Sequence, residues 1–126
     1  MIDKIDKVPD NIMAFSASGT IDANDFTNIL IPAIKNYMKD HKDLNYMLVL
    51  DNDLSNFSVT WWMKSLWVAI RDMTTWNRSV IISNLDKLKN FTNESCKELP
   101  GELRVYPKEQ IEEAIRWLSG NINTRS

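Results

Sequence analysis

Four side chains in this sequence are of a type that could take part in covalent or acid–base chemistry: His41, Asp51, Ser58 and Cys96. On paper they allow a hydroxyl nucleophile at Ser58, with His41 as its base and Asp51 to orient the imidazole. Ser58 lacks the Gly-x-Ser-x-Gly elbow that exposes such a nucleophile, and its hydroxyl reads better as a helix N-cap. His41 follows a helix and precedes Lys42-Asp43, where a helix C-terminus stabilises an imidazolium, so it reads as a solvated end residue. Cys96 sits on an apolar helical stripe and reads as core. Asp51-Asn52-Asp53 follows a strand and precedes a helix, on the side of an open sheet where ligands collect. Two carboxylates there could hold Mg²⁺. With no third carboxylate nearby in sequence, they read instead as a loop placed favourably against a helix dipole. Gly19, Gly101 and Gly120 are isolated, so no glycine-rich phosphate loop exists. We therefore assign no catalytic residue, no metal and no cofactor.

The composition narrows the function classes further. A chain of 126 residues, 44% hydrophobic and 25% charged, has the length and balance of one globular domain spanning residues 1–126. A net charge of −2 provides no field to concentrate a polyanion, which argues against nucleic acid as a partner. One cysteine excludes an internal disulfide, and one cysteine with one histidine excludes the common zinc sites. The N-terminus alternates charged and apolar residues without a continuous apolar run, and no stretch approaches a membrane span. The expected compartment is the cytoplasm.

The apolar period switches repeatedly along the chain. Ile2, Ile5 and Val8 mark a strand, Pro9-Asp10-Asn11 a turn, and Ile12 to Ser18 a second strand paired antiparallel to the first. Asp22 and Asp25 form a capping box for a helix whose inner face is Phe26, Ile29, Leu30, Ala33 and Tyr37, with a kink or break at Pro32. Asn45 to Leu50 is a strand covered on both faces. A second helix runs from about Ser58 to Met73, and Val80-Ile81-Ile82 is a buried strand. Asn84 caps a third helix carrying Leu85, Leu88, Thr92 and Cys96. Leu103 to Tyr106 is the last strand, and a final helix opens at Pro107 and ends at Gly120. The order β-β-α-β-α-β-α-β-α predicts an α/β fold with a mostly parallel sheet, one antiparallel strand from the N-terminal hairpin and four main helices.

The second helix is the most informative segment. At about 100° per residue, Val59, Trp62, Met63, Leu66, Ile70 and Met73 share an inner stripe, with Trp67 and Ala69 at its edges. Trp61 and Val68, seven residues apart, fall together in the middle of the polar face formed by Thr60, Lys64, Ser65, Arg71 and Asp72. A Trp beside a β-branched residue on a solvated face is either an exposed contact patch or local packing under the preceding loop. Trp76 is expected to cover the end of the sheet, and Trp117 to border the last helix's apolar stripe.

Taken in order, the residues resemble the SpoIIAA-like (STAS-related) family of mostly uncharacterised small bacterial proteins. The resemblance is carried by Ile5, Pro9-Asp10-Asn11-Ile12-Met13-Ala14-Phe15, Gly19, Asp25-Phe26 and Ile31-Pro32-Ala33. It continues through Pro100-Gly101-Glu102-Leu103-Arg104-Val105-Tyr106-Pro107 and the run Ile111, Ala114, Trp117-Leu118. It implies the fold of anti-sigma-factor antagonists, in which a serine at the start of a helix switches partner binding when phosphorylated. The matching stretch is Asp51 to Val59; it lacks the Asp-Ser-x-Gly pattern, and Ser58 holds roughly the serine's place. A sister group with the same fold carries hydrophobic ligands. The expected function is a non-enzymatic regulatory or protein-interaction module whose contact surface is Asp53, Ser58, Trp61 and Val68. Its partner would be another protein or a second copy. The alternative is a carrier of a small apolar, lipid-like ligand lined by Trp62, Met63, Leu66 and Trp67. An enzyme comes third.

Overall fold

The computed structural model describes residues 1–51, 59–72, 75–84 and 101–120. The expected third helix, with Leu85, Leu88, Thr92 and Cys96, lies outside the described residues. Strand β1 (Ile2–Ile5) pairs antiparallel with β2 (Met13–Ala17), placing Ile2 opposite Ala17 and Ile5 opposite Ala14. Parallel strands β3 (Asp43–Leu50), β4 (Thr75–Ile82) and β5 (Glu102–Tyr106) follow, so the sheet order β1-β2-β3-β4-β5 is also the chain order. The predicted hairpin and parallel sheet are both present.

Alternation along the strands divides the interior in two. Met13, Phe15, Ala17, Tyr46, Leu48 and Leu50 face one core, and Ile12, Ala14, Met47, Val80 and Ile82 face the other. The first core is roofed by the segment between β2 and β3 and by α3 (Val59–Ile70). The second is roofed by α4 (Ile111–Ser119), entered through a 3₁₀ turn at Lys108–Gln110. Gly120 ends α4 in the left-handed conformation at φ 86°, as a helix-terminating glycine does. Asn84, expected to cap a helix, accepts a hydrogen bond on its side-chain oxygen from the Lys108 N–H at 2.9 Å.

The helical segment after β2 departs from the sequence expectation in its inner face. Helix α1 (Ala23–Asp25) has the capping box: Asp22 accepts from the Asp25 N–H at 3.0 Å, and the Asp25 carboxylate accepts from the Asp22 N–H at 3.1 Å. It passes into a π-helical turn, Phe26–Leu30, and then into α2 (Ile31–Tyr37). Pro32 stands in the first turn of α2, where its missing N–H is tolerated, and the wider π turn before it takes the place of the predicted kink. A π turn holds one extra residue, so the apolar phase slips by one. Leu30 and Ile34 are fully buried, Ala33 only partly, and Ile29 is turned outward at 40% exposure.

Strand β4 begins at Thr75, earlier than its apolar run Val80-Ile81-Ile82 indicates. A register irregularity between Leu44 and Asn45 of β3 makes Leu44 pair with Trp76 and Asn45 with Arg78. Asn77, skipped by that shift, donates its side-chain N–H to the side-chain oxygen Oδ1 of Asn45 at 2.9 Å. Trp76 is therefore a buried strand residue and not a cover at the sheet end. Its indole N–H donates to the Ser79 hydroxyl.

Candidate functional site

The four candidate chemical residues do not assemble into a site among the described residues. His41 precedes β3 and Asp51 follows it, so they stand at opposite ends of an eight-residue strand, roughly 26 Å at ~3.3 Å per residue. His41 stacks flat on Tyr37, with ring centroids 4.0 Å apart, and its Nδ1 lies 3.0 Å from the Tyr37 carbonyl oxygen. It follows the helix as expected, but it is half-buried rather than a solvated end residue. Asn52, Asp53, Ser58 and Cys96 lie outside the described residues, and so does any geometry of the expected acidic loop or phospho-switch. Among the described residues, no group of three His, Cys, Asp or Glu side chains is placed to hold a metal ion.

Two polar grooves open at the His41 end of the sheet, of about 240 Å³ and about 490 Å³, and both are bordered by Tyr37, Asp40 and His41. The larger is floored by groups that bond to one another. Asn45 donates to the Asn11 carbonyl at 3.0 Å, and Asn11 donates to the Ser119 carbonyl at 3.0 Å. Arg78 donates to the Trp117 carbonyl at 2.5 Å. These bonds tie the hairpin, β3 and β4 to the end of α4. The buried side of Tyr37 raises its phenol pKa, chiefly by desolvation and secondarily through the Asp43 carboxylate.

Helix α3 supplies the other candidate surface. Trp62, Met63, Leu66 and Ile70 are buried at 1% exposure or less, as the inner stripe predicts. Trp67 is partly buried against the same core and meets Trp76 edge-on with centroids 6.1 Å apart. None of Trp62, Met63, Leu66 and Trp67 borders either groove. Trp62 donates its indole N–H to the Tyr46 hydroxyl at 3.0 Å, a buried bond that pins α3 to the centre of the sheet. Burial pushes the Tyr46 pKa well above its ordinary value, and the Trp62 hydrogen bond offsets part of that rise.

On the outer side of α3, Trp61 is 53% exposed and Val68 63% exposed. Phe26 touches Trp61 at 5.7 Å and Trp62 at 5.1 Å between ring centroids, so the exposed indole stands on an aromatic base continuous with the core. Ile29 lies one turn along from Phe26. Sequence periodicity assigned it inward; the signal that could have corrected this is Pro32 three residues on, which forces an irregular turn before it.

A family model for SpoIIAA-like proteins matches residues 12–119. The chain belongs to the SpoIIAA-like family. For this SpoIIAA-like chain the match runs from the end of the first turn to the end of α4. It takes in all of α3, whereas the grooves at the His41 end are lined in part by residues that precede the match, such as Lys4, Asp10 and Asn11. At the level of the family, the domain is of a regulatory or protein-interaction type. No curated protein and no solved structure matches the chain. No described helix is long and apolar enough to cross a membrane.

Proposed function

We propose that this SpoIIAA-like protein is a non-enzymatic interaction module that binds a protein partner through the outer face of α3. One observation carries the reading: Trp61 and Val68, large and apolar, lie on one stripe of that helix at 53% and 63% exposure. Trp is the residue type most enriched among contacts that dominate binding energy, provided it can be desolvated by a partner. The inner side of α3 is held by the Trp62–Tyr46 bond and by packed Met63, Leu66 and Ile70, so the outer side is offered on a rigid element. Little conformational entropy then opposes association. We extend the proposed surface to Asp53 and Ser58, just before α3 in sequence.

The test uses the full chain and a Trp61→Arg, Val68→Glu variant as baits in an extract of source cells. Proteins retained by the parent and lost by the variant, with unchanged melting curves, support the reading. Identical capture by both overturns it. Native mass spectrometry of the same preparation separates it from apolar-ligand carriage: a co-purified lipid-like mass that is lost on filling the Leu66 region (Leu66→Trp) would replace interaction with transport.

A further inference from the structure

We draw no further inference here: the strongest candidate, the larger polar groove at the His41 end of the sheet, carries nothing, because its carboxylates at Asp40 and Asp43 are exposed and nothing in the structure aims the buried Tyr37 hydroxyl, which has no hydrogen-bond partner, into it or shows what ligand would fill it.

Discussion

Helices α3 and α4 roof opposite faces of the same sheet, and they treat tryptophan in opposite ways. In α4, Trp117 is buried to 3% exposure and its ring is covered by two guanidinium groups. Arg78 stands 4.9 Å and Arg104 4.3 Å from its centroid. The outer side of α4 carries Glu112, Glu113 and Arg116, groups at home in water. In α3, Trp62 is buried and bonded, while its neighbour Trp61 is more than half exposed beside an exposed Val68. The difference teaches that α4 is finished as a structural element. Helix α3 retains apolar area that water covers poorly and that a partner could cover better.

Substitutions can break or sharpen that contrast. Trp62→Ala and Trp117→Ala should each lower the unfolding free energy by about 3–5 kcal/mol in urea titrations, since each empties a packed site. A loss below ~1 kcal/mol at Trp117 would remove it from the core. Tyr46→Phe should cost about 1–2 kcal/mol, because it strands the buried Trp62 N–H. The same variant should change the alkaline limb. The folded-state pKa of Tyr46 is raised by burial, so its contribution is fully present below the unfolded phenol value of about 10. It is lost as pH rises beyond that, because the unfolded chain releases the proton first. Comparing urea midpoints near neutrality and above pH ~10.5 should show a steeper decline in the parent than in Tyr46→Phe. Tyr37, raised in the same direction, keeps some slope in both.

Arg104→Ala should cost only about 0.5–1 kcal/mol, the worth of a partly solvated cation over an indole. A salt-insensitive stability in both proteins would argue that the Arg104 stem, not its charge, covers Trp117. Trp61→Ala should be the smallest effect, within about 0.5 kcal/mol of the parent in stability. A drop of several kcal/mol would place Trp61 with Trp62 and Trp117 as core and erase the contrast. Stability and association are thus expected to separate at Trp61 and nowhere else in this set.

Several features were legible from local sequence, because each depends on the geometry of a few consecutive residues. Asp22 and Asp25 signalled the capping box, Gly120 the end of α4, and the nearly continuous apolar run from Asn45 to Leu50 a strand covered on both faces. The two faces of α3 followed from a spacing of 3.6 residues per turn, which left open whether Trp61 and Val68 are exposed or packed under the preceding loop. Where a segment obeys one period, sequence alone determines which side chains face in.

Tertiary structure decided whatever required distant segments to meet or a period to slip. The π turn before Pro32 moved burial from Ala33 to Ile34 and turned Ile29 outward, a phase change that counting at constant pitch passes over. Pairing with β3 extended β4 back to Thr75 through polar residues, because hydrogen bonds to a neighbouring strand can hold a strand that its own side chains do not announce. The covering of Trp117 by Arg78 and Arg104, and the separation of His41 from Asp51 by the length of β3, likewise exist only once the strands lie side by side. Periodicity is a property of neighbours in the chain, and these contacts belong to neighbours in space.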